Sequence, residues 1–553
     1  NFHVRNGSAS FGSAQDESLT TNGKFKEASS WVVLTDIETS GTFTGRADAG
    51  NKKYNSLKGK PLVDIEPYSA KLGTDVLKGK FRLWDFNMPQ IDLAVTGTID
   101  MGNLKNINFP VFDSLATSEG KVKMELSLRG KLKQQKNYNI HDLGEMKISG
   151  LLEANDLLFR YKQGSLPVSI SGGSLVFNDN DVSIKAMNMN IENSDFLMDG
   201  YFKNLLPFLI LEKQQLYVDA QLKAGKIDLN ELLKDYSSAS AADTVYELQF
   251  PENIQFNLHA DVDELYFRKF KAKKIKGDFG LKNKKLISKG LTFNAMDGKL
   301  SADGVIDGTD DKNLLISCEA DVEKIDIHKM FDQFENFGQD YITDNNLKGI
   351  AAANIQFVGV MQPDLSFVED KIYTKADITI WKGELINYEP LMALSDYIEV
   401  SELKHVKFST LQNRIEIKNR EIYIPSMEIL SSALNISTSG THTFDQKINY
   451  KFKVYLPELL AKKSKKTKKE NDEFGVVEDD GLGLWLFLTM TGTVDNPVIK
   501  YDKKGYVQKI GEDIKSEKQT LKKILNEEFG WFKKDTTITK IKKEKFNDDY
   551  FII

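Results

Sequence analysis

The stretch 448–456, Ile-Asn-Tyr-Lys-Phe-Lys-Val-Tyr-Leu, decides how this chain is read. Ile448, Tyr450, Phe452, Val454 and Leu456 alternate with Asn449, Lys451, Lys453 and Tyr455, the period-two pattern of a strand with one buried and one wet face. A second run, Leu484 to Val494, is apolar on both faces for half its length and carries Leu484, Leu486 and Leu488 on one parity. Asp495-Asn496-Pro497 then signals a turn, and Val498 to Tyr501 reads as another short strand.

The same rhythm extends towards the N-terminus. From Trp31 onward, short apolar-alternating segments separated by Gly- or Asn-containing turns dominate, among them Trp31 to Ile37, Gly41 to Ala47, Gly79 to Trp84, Ile91 to Ile99 and Lys121 to Leu128. Strands at such short intervals argue for antiparallel β structure. The first thirty residues, polar and rich in Ser, Gly and Asn, read instead as an irregular edge. Only 12 prolines and 38 glycines occur in 553 residues, which suits many strands and tight turns rather than disordered linkers. The charged fraction of 28% and net charge of -6 give no argument for nucleic acid as a partner.

An internal repeat lies beneath the rhythm. Ile91 to Gly97 leads into Thr98-Ile99-Asp100-Met101, Leu216 to Leu222 into Lys226-Ile227-Asp228-Leu229, and Leu314 to Ala320 into Lys324-Ile325-Asp326-Ile327. Each time a half-buried strand ends in Ile-Asp and passes into an apolar helix start. Asp100, Asp228 and Asp326 are therefore expected N-caps, with Glu231 completing a capping box in the middle copy. Val454 to Leu460 reads as a fourth, divergent copy. Short helices are expected over Leu229 to Tyr236, Ile327 to Tyr341 and Leu391 to Val400.

Something must cover the apolar faces, because each large side chain buried contributes ~1.5 to 3 kcal/mol. Helices are too few to do it. Periodicity alone leaves a sandwich, a β-helix or a sheet folded over as a trough.

The block from Leu347 to Leu460, with Trp381-Lys382-Gly383-Glu384-Leu385, and the run Leu488-Thr-Met-Thr-Gly-Thr-Val-Asp-Asn-Pro-Val-Ile-Lys-Tyr501 resemble the C-terminal region of the AsmA-like family of bacterial envelope proteins. The resemblance is a rhythm of strands and turns with no catalytic signature. It implies a mainly β fold, an elongated and strongly curved antiparallel sheet forming a repeating β-groove, with a few short helices and a C-terminal amphipathic helix. About 25 strands at ~4.8 Å would make it on the order of 120 Å long. It divides the chain into a β-groove segment (1–145), repeated groove units (146–345), an AsmA-like β region (346–502) and a basic helix with its tail (503–553).

The function the resemblance implies is non-enzymatic: bridge-like transfer of phospholipid between inner and outer membranes, supporting outer-membrane biogenesis. Acyl chains would lie on the in-phase apolar residues: Ile91, Leu93 and Val95; Leu216, Val218 and Leu222; Ile254, Phe256 and Leu258; Leu314, Ile316 and Cys318; Ile448, Tyr450, Phe452, Val454 and Leu456; Leu484, Leu486 and Leu488. The implied location is the periplasm of the cell envelope, anchored to the inner membrane through a segment upstream of Asn1, with outer-membrane or other envelope proteins as partners. The competing class is a periplasmic scaffold with a closed dry core that assists outer-membrane protein assembly. A carbohydrate-binding protein is a third, although Trp31, Trp84, Trp381, Trp485 and Trp531 form no paired platform in the sequence.

Catalytic motifs are missing. No Gly-x-Ser-x-Gly or Gly-x-Gly-x-x-Gly occurs, one cysteine forbids Cys-x-x-Cys, and Gly73 to Phe81 departs from a phosphate loop by placing Lys78 at the second glycine. His3, His141, His259, His328, His405 and His442 lie far apart, so neither metal nor cofactor is expected. The longest apolar runs, Leu205 to Leu211 and Leu484 to Leu488, fall short of the ~20 residues of a membrane span.

Two basic stretches carry more information. Lys462, Lys463, Lys465 and Lys466 open a lysine run that reads as a charged hairpin insertion or as a contact with anionic headgroups. Beyond Lys503, Val507, Ile510, Ile514, Leu521, Ile524 and Leu525 fall at helical spacing, with Lys515, Lys518, Lys522 and Lys523 largely off that stripe and Trp531 beyond it. This amphipathic helix is expected to cap the last strand or to lie on a membrane.

Overall fold

The computed structural model describes residues 2–12, 30–44, 61–106, 115–131, 146–161, 166–211, 213–233, 248–339, 342–395, 400–433, 435–455 and 485–501. The protein is mainly β, with a few short helices among these residues. It divides into two units, residues 1–388 with 407–423, and 389–406 with 424–553.

The first unit opens with β1 (Phe2–Gly12), β2 (Ser30–Thr44), β3 (Leu62–Leu72), β4 (Asp75–Trp84), β5 (Gln90–Asp100) and β6 (Leu115–Lys131). It continues through β7 (Lys147–Tyr161), β8 (Pro167–Asn178), β9 (Asp181–Ile191), β10 (Ser194–Lys203) and β11 (Leu216–Asp228). Then follow β12 (Ile254–Phe267), β13 (Phe270–Lys282), β14 (Lys285–Ala295), β15 (Gly298–Asp310), β16 (Asn313–Asp326), β17 (Leu347–Met361), β18 (Tyr373–Ile386) and, after β19 (His405–Phe408), β20 (Leu411–Lys418). Each of β1 to β17 pairs with the next, and β18 pairs with β20. The sheet does not close into a barrel. Its ladders run without interruption across residues 145 and 345, where the sequence suggested divisions.

Two features differ from the sequence reading. Phe2–Gly12 is a strand on β2, not irregular chain; backbone pairing supplies its ladder and needs no apolar side chains. And β11 and β12 are parallel, Leu216 opposite Ile254 through Asp228 opposite Tyr266, in an otherwise antiparallel ladder. A parallel pair needs a connection that returns to the starting edge. It returns through Leu248, whose N–H donates to Pro363 O (2.9 Å), and Asn253, whose carbonyl accepts from Leu216 N–H (2.9 Å).

The register puts the ends of β5, β11 and β16 on one edge of the sheet, so the three Ile-Asp repeats all turn there. Asp228 caps α2 (Leu229–Leu232) by accepting from Asn230 N–H (3.2 Å), and Asp326 caps α3 (Ile327–Gln333) by accepting from Lys329 N–H (2.9 Å). Asp100 does the same for a 3-10 turn at Met101–Asn106, accepting from Gly102 N–H (2.8 Å). The helices are shorter than periodicity suggested. α3 stops at Gln333 because Glu335, Asn336 and Phe337 adopt left-handed φ of 52°, 54° and 56°, followed by Gly338 at 71°. Left-handed backbone costs roughly 1–2 kcal/mol per non-glycine residue. At the opposite edge, the apolar run after Asn204 forms α1 (Leu205–Ile210).

β-Bulges interrupt the strands, and aspartates on adjoining strands satisfy their backbone. Asp199 accepts from Ala186 N–H (2.8 Å) and Asp303 from Gly290 N–H (2.6 Å), and past the last β10–β11 pair Asp195 accepts from Gly225 and Lys226 N–H (both 2.7 Å). Each bulge bends its strand and raises local twist.

The second unit contains β22 (Ile436–Thr443), β23 (Lys447–Tyr455), β24 (Trp485–Thr493) and β25 (Pro497–Tyr501), an antiparallel ladder in that order. The remaining strand, β21 (Glu421–Ile429), pairs with β20 up to Tyr423. A 3-10 turn at Glu389–Leu394 and the one-turn α4 (Val400–Leu403) replace the helix expected over Leu391 to Val400.

Candidate functional site: the apolar face of the first unit

Cross-strand partners share a face, so register shows whether apolar positions on different strands join. On β5, Ile91, Leu93 and Val95 oppose Leu83, Phe81 and Gly79 of β4 and Gly130, Leu128 and Leu126 of β6. On β11 and β12, Leu216 meets Ile254, Val218 meets Phe256, Ala220 meets Leu258 and Leu222 meets Ala260. On β16, Leu314, Ile316 and Cys318 oppose Met361, Gly359 and Phe357. Intervening ladders link these groups. One line runs Leu258, Phe279 and Ser288, then Gly304, Cys318 and Phe357. A continuous apolar face therefore extends from β3 to β20.

Leu216 and Leu314 are buried, but Ile91, Leu93, Val95, Val218, Leu222, Ile254, Phe256, Leu258, Ile316 and Cys318 are only half-buried. No second sheet lies over them among the described residues. Coverage concentrates where the repeat helices sit. Leu229 and Leu232 of α2 pack on Ala224, Ile227, Ala260, Val262, Ala272 and Ile275. Ile327, Met330 and Phe331 of α3 pack on Ala295, Met296, Val322, Ile325 and Ala351. Alanines under the helices let them approach, while larger side chains line the uncovered middle. The opposite edge is bordered by Phe250, set against Gly308, and by Phe367, edge-on to Phe357 at 5.7 Å.

Ser366 hydrogen bonds hold the Asp364 carboxyl in the β17–β18 turn below its ordinary range. The sheet is curved, and α2 and α3 pack on its apolar face.

The other face is ionic. Lys123 pairs with Glu153 (2.6 Å), Arg129 with Asp92 (2.7 Å), Lys276 with Asp261 (2.9 Å) and Arg414 with Asp377 (2.6 Å), each across a strand pair.

Sequence reasoning missed Phe279, Ile306 and Phe357, which join the same face. Their strands carry glycines at inward positions, Gly277, Gly304 and Gly359, which thin the apolar alternation that would have marked them.

In the second unit the strands supply their own cover. Val454 is 2% exposed and packs with Leu488 and Leu403, against Leu391, Met392, Ile436, Phe452 and Ile499. Ile448 is buried, and Tyr450 and Phe452 are half-buried. Leu486 lies in β24, opposite Val454. Leu456, Leu484, Lys462, Lys463, Lys465, Lys466, Lys515, Lys518, Lys522, Lys523 and Trp531 lie outside the described residues.

Among the described residues no group of three or more His, Cys, Asp or Glu could hold a metal, and no helix is long and apolar enough to cross a membrane. Burial, with a smaller effect of Glu319, pushes the Cys318 thiol up, which disfavours the nucleophilic thiolate. No family model, curated protein or solved structure matches the chain.

Proposed function

We propose that the chain is a non-enzymatic lipid carrier of the AsmA-like type, which holds phospholipid acyl chains along the apolar face of the first unit. The observation that carries this reading is the in-register apolar face from β3 to β20 of a curved sheet, half-buried along its middle. Chains lying there would leave water, while headgroups would stay at the rims. A side chain half-exposed in the free protein still has apolar area to bury, at ~25 cal/mol per Å². Transport between the two membranes of a bacterial envelope, through the periplasm, is the setting that fits such a conduit, with an inner-membrane anchor and outer-membrane proteins as partners.

The scaffold reading has its own support in the second unit, whose apolar residues form a local dry core around Val454 and Leu488. Native mass spectrometry of gently purified protein separates the two. Phospholipid in several copies is expected, and its number should fall in Phe256→Asp, which places a carboxylate on the uncovered face. Lipid-free protein under the same conditions would favour the scaffold.

A further inference from the structure

The wet faces of the two units differ in what stands opposite their lysines. A sheet places a lysine's counter-charge on the neighbouring strand, directly across. In the first unit Lys123 and Lys276 have Glu153 and Asp261 there. In the second, Lys451 stands between Ser439 and Thr489, Lys500 stands against the same Thr489, and Lys447 stands between Thr443 and Thr493. The ladders of β22 to β25 run without a bulge, so these lysines and Lys453 share the face opposite the Val454 and Leu488 core. Lys447, Lys451 and Lys500 have no ion pair among the described residues; Lys447 and Lys500 are exposed and Lys451 is half-buried.

The charge of this face has one sign. β22 to β25 carry four lysines and no aspartate or glutamate. Asp445 and Asp495 lie in the turns next to Lys447, which leaves Lys451 and Lys500 about 13 Å further along the ladder. Glu428 lies on β21, whose Ser426 hydroxyl meets that of Ser437 on β22 (3.4 Å), so two strand spacings, about 10 Å, separate its strand from that of Lys451. In sequence, the β23–β24 connection carries six lysines and seven acids, and Asp502 after β25 is followed by Lys503 and Lys504, so the two segments together add no net charge. Like charges with only hydroxyls across from them repel, and an anionic partner relieves the repulsion.

Composition narrows the partner. Arginine, enriched at protein interfaces and the commonest reader of nucleic-acid bases, does not occur on β22 to β25, whereas lysine and serine, depleted at protein interfaces, dominate the face. A bilayer with anionic headgroups needs only ammonium groups and hydroxyl donors within a Debye length of its phosphates, about 8 Å at physiological salt. Tyr455 opposite Trp485 ends the ladder with residue types common at headgroup depth.

We infer that the wet face of β22 to β25, centred on Lys451 and Lys500, docks on a lipid bilayer bearing anionic headgroups. Such docking stands whether or not the first unit holds lipid.

The test uses the full chain with Cys318→Ser and Asn449→Cys and a fluorophore on the new thiol, since Asn449 is exposed on the same face. Vesicles of phosphatidylcholine, with or without phosphatidylglycerol, carry a nitroxide quencher on a fraction of the choline headgroups. Quenching is expected on the phosphatidylglycerol vesicles and should vanish at about 1 M salt, where the Debye length falls to ~3 Å. Lys451→Gln/Lys500→Gln should weaken vesicle binding about tenfold, and Lys451→Arg/Lys500→Arg should retain it, with unchanged circular dichroism for both. Lys185→Gln/Lys203→Gln, the same charge change on exposed lysines of the first unit, should leave binding as it is. No quenching on any vesicle, including when the protein floats with them through another region, overturns the proposal. So does equal quenching on phosphatidylcholine alone, or equal weakening by the first-unit pair. A face that meets an acidic protein instead would give the silent result.

Discussion

His442 lies on the apolar side of β22, cross-strand from Ile448 and edge-on to Tyr450, with ring centroids 6.5 Å apart. Burial holds its pKa below the ordinary 6.5. Above that value the ring is neutral in folded and unfolded chains alike. As pH falls through it, the unfolded chain takes up a proton that the folded one excludes, so stability drops until the depressed folded value is reached. Urea unfolding followed by fluorescence at about pH 7.5 and 5.5 should show a lower midpoint at the acid pH, and His442→Gln should flatten that difference. The sequence showed His442 only as one of six scattered histidines and did not reveal its burial, because burial depends on the elements packed around it.

At the scale of elements, the three Ile-Asp repeats were legible because N-capping is local: a carboxylate reaches an N–H two or three residues on. Helix lengths were not legible. Phe334 and Phe337 continue the helical spacing of Phe331 and Met330, but left-handed backbone ends α3 first. What α3 contributes is coverage. Ile327 is 1% exposed, so Ile327→Ala removes buried volume at a cost of roughly 2–4 kcal/mol. The expected result is faster hydrogen exchange at the α3 ends of β16 and β17, around Val322, Ile325 and Ala351, with distant strands such as β5 unchanged. Asp326→Ala should give the same pattern at roughly 1 kcal/mol, the value of one cap.

At the scale of the molecule, the two units answer the same pattern differently. Phe256 and Val454 both sit on alternating apolar strands, and nothing in their neighbours distinguishes them. Phe256 lies on an uncovered face, whereas Leu403 and its neighbours bury Val454. Val454→Asp should therefore destabilise the second unit by several kcal/mol, seen as faster hydrogen exchange in β23 and β24. Phe256→Asp should leave hydrogen exchange across β11 to β13 nearly unchanged and change bound lipid instead. Loss of protection there as large as Val454→Asp causes in β23 and β24 would mean that the first face is also a closed core.

The sequence by itself determined the β class, the wet and apolar faces of single strands and the Asp caps, because each depends on residues a few positions apart. Only the tertiary structure decided the rest: the pairing of Phe2–Gly12, the parallel β11–β12 step, the joining of short apolar runs into one continuous face, and which parts of that face are covered. Those outcomes depend on register and on what packs from distant positions, and alternation within one strand is the same whether its apolar side meets a helix, a second layer or nothing.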